Sequence, residues 1–507
     1  MVSRSDGAHW VVLGRAGRIR SPSLNAERGG APPLLPVLPH NAPSREESMR
    51  SFAVLAALCA LAAPAAPPEP PASRILGAAL AGTGGYAFVE HLCDRVGPRL
   101  SGSPALDLAV HDMAARLRTF GLDRVATEPV SVPHWERGFF QAEIVAPVTF
   151  PLVGLALGGS VATPPEGIEA EVIEAASFEE LAAKGEAVRG KIVLWNRRML
   201  PESTMDGYGA VSPLRTKGPS EAAKLGAVAS LVRSLGTADF RLPHTGALRY
   251  ADDVPHIPAA AVAAEDAERL HRLLARGEPV RVRLRMTPRM LEDARSANVI
   301  AELRGRDKPE EVVVLGAHLD SWDVGCGAVD DGAGVAIVME TMRLLRALDL
   351  RPRRTLRAVL FTNEENGLAG GKAYARDHAA ELSRHAAAIE VDSGAGRPLG
   401  ARVTAGPGAV DALKEILRPL ASLDAAAVEA GGGGADISAM KAAGVPQIGL
   451  RQDTYHYFDW HHTEADTLDK VDPALLARNV AAFAILAYGV ADAETPLAPV
   501  PEAERKD

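Results

Sequence analysis

From about residue 296 onward, short apolar segments alternate with longer amphipathic ones, and this alternation limits the possible folds more than any other feature of the chain. The apolar segments ANVIAEL, EVVVLGA, TLRAVLFT and HAAAIEVD are short and almost continuously apolar, as strands buried on both faces are. The segments AGVAIVMETMRLLRAL and AGGKAYARDHAAEL have the three- and four-residue apolar spacing of helices. The pattern predicts an α/β fold with a mostly parallel, doubly wound sheet that helices cover on both faces.

Acidic and histidine side chains follow several of the predicted strands. In an open parallel sheet, ligands bind where the carboxyl ends of the strands meet, so we expect these side chains to share one site. They are His318 and Asp320 after EVVVLGA, Asp330 and Asp331 in the next loop, Glu364 and Glu365 after TLRAVLFT, Asp392 after HAAAIEV, and His461, His462 and Asp466 in DWHHTEADT.

A single acid at a strand end is usually a helix cap or a solvated loop residue. Many acids in one pocket are different, because they would repel one another unless cations neutralised them. Imidazole nitrogens mixed with carboxylate oxygens suit zinc, or less well cobalt or manganese, and argue against calcium. There are more candidate ligands than one tetrahedral ion uses, so the pattern indicates two metals, with Asp330 as the bridge.

The rest of the chain divides into regions that differ in residue pattern and composition. Residues 74–127 are predicted to be the first, helical part of the same domain, and residues 295–492 its second part. Between them, residues 128–294 contain short β-rich runs and one helical piece, SEAAKLGAVASLV, which predicts an inserted β-rich domain. The tail, 493–507, has the composition of a disordered segment.

The amino-terminal region indicates export. The segment that starts at Met49, MRSFAVLAALCALAAPAAPPEPPA, has a basic residue, a short apolar stretch and small residues for cleavage. Residues 49–66 are therefore predicted to be a signal peptide for a periplasmic or extracellular protein, and 1–48 a disordered leader or a mis-assigned start. We expect no stable membrane span, because the apolar stretch is too short. Cys93 and Cys326 are expected to be free thiols.

Charge argues against one class of partner. The formal net charge is −9 and the chain has no block of Lys or Arg, so no basic surface for a nucleic acid is expected.

The ordered motifs HLDSWDVGCGAVDDGAG, TNEENG, EVD and HHTEADT resemble those of the two-zinc aminopeptidases of family M28. Within that family, VGPRLSGSPAL, VSVPHWERG, RPRRTLRAVLFTNEE and GGGADIS are similar to the carboxypeptidase Q group, and the resemblance covers roughly residues 75–490. The middle segment resembles a protease-associated domain through RGKIVLWNRR and AAKLGAVASLV. No catalytic residue is assigned to that insert, which we interpret as a structural lid.

The resemblance implies a role for each site residue. One zinc ion would be held by His318 and Asp392, the other by Glu365 and His462, and Asp330 would bridge them. Glu364 becomes the general base, and Asp320 is expected to orient the imidazole of His318. Neither Glu364 nor Asp320 is expected to bind zinc.

Three further residues are assigned to contacts with the substrate. Many relatives have a tyrosine where this chain has His461, so we interpret His461 as a donor to the developing oxyanion, with a packed structural histidine as the alternative. Asp436 and Ser393 are candidates for holding a free end of the substrate, although Asp436 could equally cap the segment ISAMKAAG.

The implied activity is hydrolysis of short unblocked peptides, chiefly dipeptides, by an enzyme that the resemblance implies to be a homodimer. Alternatives are an aminopeptidase on longer peptides, a single-zinc acyltransferase similar to the glutaminyl cyclases, and a catalytically silent binding protein. The presence of Glu364 argues against the last of these.

Overall fold

The structure, a computed structural model, describes residues 69–505 except Thr83, Ser203 and Asp239. The leader predicted for 1–48 and the signal peptide predicted for 49–66 lie outside the described residues.

Two eight-stranded sheets carry the fold, and the strands are numbered β1 to β18 in chain order. The first sheet has the order β1-β12-β14-β13-β15-β18-β16-β17, with β1 Arg124–Val132, β12 Ala294–Leu303, β13 Lys308–His318, β14 Arg354–Phe361, β15 His385–Glu390, β16 Pro398–Thr404, β17 Ala427–Ala430 and β18 Gln447–Gln452. The second has the order β4-β3-β10-β6-β7-β8-β9-β5, with β3 Phe140–Ala146, β4 Phe150–Leu152, β5 Gly154–Ala156, β6 Ile168–Ala175, β7 Ile192–Trp195, β8 Ala229–Arg233, β9 Ala259–Val262 and β10 Arg281–Met286. A small ribbon pairs β2 Trp135–Glu136 with β11 Arg289–Met290.

Helices connect and cover these sheets. In chain order they are α1 Pro71–Ala81, α2 Gly84–His91, α3 Pro104–Arg118, α4 Phe178–Lys184, α5 Asp206–Thr216, α6 Gly218–Lys224, α7 Ala264–Leu274, α8 Ala333–Ala347, α9 Ala369–Asp377, α10 Ala409–Leu417, α11 Tyr457–Trp460 and α12 Pro473–Asp492. Short 3-10 helices lie at Gly185–Val188, Leu382–Arg384, Arg418–Leu423, Asp436–Ala443, Leu468–Lys470 and Glu502–Glu504, and wider turns at Leu92–Val96 and Ala328–Gly332.

The first sheet is parallel at its centre and mixed toward its edges. Strands β14, β13, β15 and β18 run parallel, whereas β12 pairs antiparallel with β14, and β16 with β18. Alternate residues of the central strands enter separate cores: Val313 and Leu315 pack on one face of the sheet, and Val312 and Val314 on the other. Burial on both faces explains why these segments are almost continuously apolar. The fold is therefore a mixed α/β fold with large sheets.

Helix α12 covers one face of this sheet. It begins where the Asp472 side chain accepts hydrogen bonds from the N–H groups of Ala474 and Leu475, with Pro473 at the first helical position. Among the described residues it is the one helix long and apolar enough to cross a membrane, and 67% of its apolar window is buried inside the protein. That burial is typical of a core helix.

The structure corrects the predicted start of the insert. The insert does not begin at residue 128, because β1 pairs with β12 in the first sheet from Arg124 to Val132. The second sheet starts with β3, and its interpretation as a protease-associated domain stays a prediction.

The prediction of a disordered tail is wrong for residues 493–505. The side chain of Val500 is completely buried, and its N–H donates to the carbonyl of Gly444 at 2.9 Å. The N–H of Gly406 donates to the carbonyl of Ala498, also at 2.9 Å. These anchors hold a segment that its composition alone would leave unfolded.

Candidate metal centre

The strand ends bring the predicted site residues together. His318 is the last residue of β13, Glu364 and Glu365 follow β14, and Asp392 follows β15. His462 comes from the turn after α11, where its backbone adopts a left-handed conformation with a φ of 58°. Such a conformation is uncommon for a residue with a side chain and is concentrated at functional sites.

Two groups of potential ligand atoms share Asp330. In the first, His318 Nε2 lies 3.1 Å from Asp330 Oδ1 and 3.5 Å from Asp392 Oδ1. In the second, His462 Nε2 lies 3.0 Å from Glu365 Oε2 and 3.2 Å from Asp330 Oδ2. Within each group the ligand atoms all lie within 4.8 Å of one another. The two groups are the same two sets that the sequence assigns to separate zinc ions.

Hydrogen bonds orient both imidazoles so that their Nε2 atoms face the acids. His318 Nδ1 lies 3.0 Å from the backbone carbonyl of Asp320, and His462 Nδ1 lies 3.3 Å from that of Thr245. A carbonyl accepts a hydrogen bond from an Nδ1–H group, and in a neutral imidazole with that hydrogen the lone pair is on Nε2. A histidine that ligates a metal is usually held in this way.

The residues present fit a metal. Asp330 is 4% exposed, and its Oδ2 makes no hydrogen bond among the described residues, although the Nε2 atoms of His461 and His462 each lie 3.2 Å away. A buried carboxylate oxygen without a partner is costly, and a cation beside it would remove that cost. The donors are imidazole nitrogens and carboxylate oxygens, a set that suits zinc.

The electrostatics indicate the same need for positive charge. Burial alone would lower the pKa of His318 and His462, but the acids around them raise both values well above the ordinary one. Burial and the neighbouring Asp330 raise the pKa of Glu365 to about 7. The raised pKa values mean that these groups hold protons at this site. A bound metal ion would release those protons and supply the positive charge itself.

Asp320 supports the site in a different way from the one predicted. Its backbone carbonyl, not its carboxylate, lies at hydrogen-bond distance from His318 Nδ1. The carboxylate instead accepts hydrogen bonds from the backbone N–H groups of Glu364 at 3.0 Å and Glu365 at 3.3 Å. Asp320 therefore positions the loop that carries the general-base candidate as well as the ligand.

Two further acids hold the loop that carries Asp330. Asp466 accepts hydrogen bonds from the backbone N–H groups of Val329 at 2.7 Å and Asp330 at 3.2 Å. Asp331 accepts from the backbone N–H groups of His318 at 3.2 Å and Gly334 at 3.0 Å. Both acids are buried and point at backbone rather than at the ligand atoms.

The glycine-rich loop is also held by a buried arginine. Arg99 is completely buried and donates to the carbonyls of Leu319, Cys326 and Gly327 at 2.6, 2.6 and 2.9 Å. Gly327 has a φ of 58°, and a Cβ atom there would lie 2.4 Å from the side chain of Ser321. A glycine is therefore required at this position.

A cavity of about 460 Å³ opens onto the ligand atoms. Glu364 lines it, together with Asp330, Glu365, Asp392 and His462. Burial and the neighbouring Asp392 and Glu365 raise the pKa of Glu364 well above its ordinary value. A carboxyl group with a raised pKa that lines such a site is suited to general acid–base catalysis.

The two candidates for holding the substrate do not line this cavity. Asp436 is 1% exposed, and neither of its carboxylate oxygens has a hydrogen-bond partner in the described part of the chain. It does not cap its helix, since no side-chain cap is made there. Ser393 lines two neighbouring cavities, of about 140 and 560 Å³.

His461 lies beside the bridging candidate. Its ring stacks on that of His462 with 3.6 Å between centroids, and its Nε2 lies 3.2 Å from Asp330 Oδ2. It also lines the cavity. Its Nδ1 is 2.9 Å from Nε2 of His244, which lies in the loop between strands β8 and β9 of the second sheet. Burial lowers the pKa of both His461 and His244 well below the ordinary value, so both are neutral.

Sequence reasoning missed His244 and Thr245. It assigned no functional residue to residues 128–294, yet this pair contacts both histidines of the HH motif. A single histidine in PHTGALRY, more than two hundred residues from the motif, gives no local signal. Asp331 and Asp466 are different, since both lie in the motifs from which the sequence predicts the site.

Comparison with known proteins gives consistent results. The model of peptidase family M28 matches residues 298–487. Carboxypeptidase Q of Mus musculus is 42% identical over 406 residues, which is 80% of this chain and 85% of the mouse protein. Carboxypeptidase Q of Homo sapiens is 41% identical over 412 residues, 81% of this chain and 86% of the human protein.

Solved structures are similar as well. A peptidase M28 precursor from Shewanella amazonensis SB2B superposes with a TM-score of 0.83 at 41% identity, covering 85% of this chain and 98% of that protein. A zinc aminopeptidase from Bacillus subtilis has a TM-score of 0.61 at 20% identity, covering 82% and 97%. At that identity the second similarity concerns the fold alone.

Proposed function

This chain belongs to peptidase family M28 and is a zinc metallopeptidase, and from that premise we propose that it is a two-zinc exopeptidase. Its proposed substrates are short peptides with free ends, chiefly dipeptides. The observation that carries the proposal is the pair of ligand groups that share Asp330 at the floor of one cavity.

The distances between the candidate ligand atoms support the proposed ligand sets. His318 and Asp392 would hold one zinc ion, Glu365 and His462 the other, and Asp330 would contact both. When bound, a zinc pair acidifies a water molecule and polarises a carbonyl group.

Glu364 is the proposed general base. Its side chain lines the cavity, and its backbone is held by the Asp320 carboxylate. It takes a proton from the attacking water and returns it to the amine that leaves. Because the adjacent Glu365 faces His462 at 3.0 Å, one glutamate can bind metal while its neighbour stays free to move the proton.

Cationic side chains in the lining of the cavity support a substrate with a free carboxylate. Arg215, Lys217 and Arg249, which lie between β7 and β9 in the chain, line the cavity together with the proposed zinc ligands. Arg215 is 6% exposed and donates to the Tyr208 hydroxyl at 2.7 Å, while its Nε has no partner among the described residues. Such cations would bind the carboxylate of a short peptide in the same cavity as the reacting centre.

The size of the cavity favours short substrates. A volume of about 460 Å³ is at the lower end of ordinary small-molecule sites, which run from about 300 to 1,000 Å³. For a dipeptide, removal of the amino-terminal and of the carboxy-terminal residue is the same reaction. The names carboxypeptidase and aminopeptidase among the relatives are compatible with one such activity.

The decisive experiment pairs two adjacent glutamates. Glu364→Gln should retain the zinc content of the wild type and lose about 100- to 10,000-fold in kcat, because it removes a proton acceptor. Glu365→Gln should lose zinc together with activity. Both variants and the wild type are assayed on a dipeptide and on its N-acetylated and C-amidated forms, with zinc measured in the same preparations.

The outcomes separate the alternatives. The proposal predicts two zinc ions per wild-type chain and a strong preference for the unblocked dipeptide. One tightly held zinc ion per chain would favour an acyltransferase similar to the glutaminyl cyclases. Equal rates for Glu364→Gln and the wild type would remove the general-base assignment, and faster cleavage of longer peptides would favour an aminopeptidase.

Export and dimer formation complete the proposal. Export rests on the sequence of residues 49–66, and the homodimer rests on the resemblance to the family.

A further inference from the structure

The two cysteines of the described chain lie side by side, close to the loop that carries Asp330. Cys93 belongs to the wide turn Leu92–Val96 and Cys326 to the glycine-rich loop, and both are free thiols. The two thiols form a hydrogen bond with each other. The turn Leu92–Val96 also packs against the turn Ala328–Gly332, which contains Asp330. Two thiols that are more than two hundred residues apart in the sequence are therefore neighbours in the fold.

Backbone and core contacts hold the segments that carry this pair. The N–H of Cys326 donates to the carbonyl of Asp466 at 2.9 Å, and the carbonyl of Cys326 accepts from the Arg99 guanidinium at 2.6 Å. The side chains of Cys93 and Cys326 pack on the same apolar core. A disulfide bond requires two sulfurs that can meet without movement of the backbone, and a thiol pair held in this way supplies them.

Neither thiol belongs to the candidate metal centre. In the described part of the chain, the groups of potential metal-ligand atoms contain no cysteine. Neither side chain lines the cavity of about 460 Å³ that opens onto the proposed zinc ligands. Both cysteines are only half-buried, so both keep some contact with solvent. Two adjacent thiols within reach of a dissolved oxidant can be converted to a disulfide.

We propose that Cys93 and Cys326 form an intramolecular disulfide bond in the exported protein. The inference rests on the export that the proposed function includes, because disulfides form and persist in oxidising compartments. The bond ties the segment before α3 to the glycine-rich loop that carries Asp330. It thus braces the metal centre from outside the proposed ligand set.

The oxidation balances as thiol–disulfide exchange with a small-molecule disulfide such as oxidised glutathione. The hydrogen bond with Cys93 and the nearby Arg99 lower the pKa of the Cys326 thiol, which makes Cys326 the first to attack. Its thiolate forms a mixed disulfide with one sulfur of the reagent and releases the other sulfur. Cys93 then gives up its proton, attacks the Cys326 sulfur and releases the second half of the reagent. The cysteines lose two electrons and two protons, and the two released sulfurs take them up.

The first test identifies the bond in the purified, zinc-loaded protein. All forms carry Cys59→Ser, which removes the third cysteine of the chain. The wild type at Cys93 and Cys326 and the single variants Cys93→Ser and Cys326→Ser are incubated with oxidised glutathione. They are then digested without reductant and analysed by mass spectrometry. The first form should give a linked pair of peptides that contain Cys93 and Cys326, and the single variants should give none.

The second test measures the effect of the bond on stability. A disulfide that closes a loop of more than two hundred residues restricts the unfolded chain, so oxidation should raise the midpoint of urea unfolding by about 1 M. A phosphine reductant should reverse this rise at saturating zinc. The double variant Cys93→Ser/Cys326→Ser is the matched control, because its midpoint should not respond to oxidant or reductant. The kcat for dipeptides should be the same in the oxidised and reduced forms, because neither thiol lines the cavity.

Three results would overturn the inference. Absence of the linked peptides from folded protein in excess oxidised glutathione would show that the two sulfurs do not meet. Equal shifts of the midpoint with and without the thiols would remove the stabilising role. Loss of zinc or of kcat on oxidation would mean that the bond distorts the loop. The first two results depend neither on export nor on dipeptide hydrolysis, so the inference and the proposed function can fail separately.

Discussion

Buried charges at the two ends of the central strands are neutralised in different ways. Near the start of β14, which we call the arginine end, Arg354 is completely buried and its Nε donates to Glu311 at 2.5 Å. Three residues later, the Nε of Arg357 donates to Glu302 at 2.8 Å. The chain supplies its own cation for each of these acids.

At the opposite end, which we call the site end, buried acids such as Asp330 and Glu365 face imidazoles rather than guanidinium groups. The buried arginine nearby, Arg99, donates to backbone carbonyls and not to a carboxylate. The acids of the two ligand groups therefore have partners without a permanent charge, because imidazole is charged only when protonated.

The pKa values of the acids record this difference. Burial alone would raise the pKa of Glu311, but Arg354 and Lys308 hold it below the ordinary value. At the site end, burial raises the pKa of Glu365 to about 7 and that of Asp466 to about 8. The acids at the arginine end have permanent cationic partners, whereas the buried acids at the site end need a cation of the kind that a bound metal would supply.

Removing zinc should produce the largest effect at the site end. For a protein that held zinc at 1,000 times its Kd, a chelator should remove about 4 kcal/mol of stability. The measurement is the midpoint of urea unfolding with and without chelator. His318→Gln should reduce the chelator-dependent shift, and His385→Gln should not. A wild-type midpoint that does not respond to the chelator would contradict the comparison.

Breaking a pair at the arginine end should produce a smaller loss that zinc does not restore. Arg357→Met leaves Glu302 without its buried partner, and we expect a loss of about 2 kcal/mol, because the glutamate is still partly exposed. The double variant with Glu302→Gln should recover part of that loss, since it removes a carboxylate whose remaining partner is the half-exposed Arg124, at 3.1 Å. Urea unfolding at saturating zinc measures both, and a double variant no more stable than Arg357→Met would argue against the pairing.

How far the sequence predicts this fold depends on how local the signal is. Strands β13, β14 and β15 are found because a run of apolar residues ends at polar ones in each. The domain boundary predicted at residue 128 divides strand β1, because its sequence RVATEPVSV is that of a half-exposed strand and its partner β12 lies far along the chain. Sheet membership depends on that pairing and not on the strand's own residues.

The candidate site follows the same rule. Its proposed ligands could be predicted, since each follows a strand or lies in a motif, and the carboxyl ends of parallel strands must meet. The partners that orient those ligands could not. Thr245 and His244 act across long stretches of chain, and the carboxylate of Asp320 contacts backbone N–H groups rather than the imidazole. Such contacts depend on how the second sheet lies against the first.

The smallest predicted effect concerns an acid at the site end that belongs to neither ligand group. Burial and the neighbouring Glu390 raise the pKa of Asp436 well above its ordinary value, and Glu390 itself has a pKa of about 7. The folded protein thus holds a proton at Asp436 more tightly than the unfolded chain, so this group makes stability fall as pH rises above the ordinary range of aspartate, about 4. Asp436→Asn carries no charge and should gain about 1 kcal/mol at pH 8 and less at pH 5.

Glu311→Gln is the matched control at the arginine end, where the sign reverses. The pKa of Glu311 is lowered in the fold, so its contribution is present above the ordinary glutamate pKa and is lost as pH falls. Glu311→Gln should therefore lose stability at pH 8 and lose less as the solution becomes acidic. Urea unfolding of both variants across this pH range checks the signs. Asp436→Asn should also leave the KM for dipeptides unchanged, because Asp436 does not line the cavity, and a tenfold rise would instead mean that it binds the free end of the substrate.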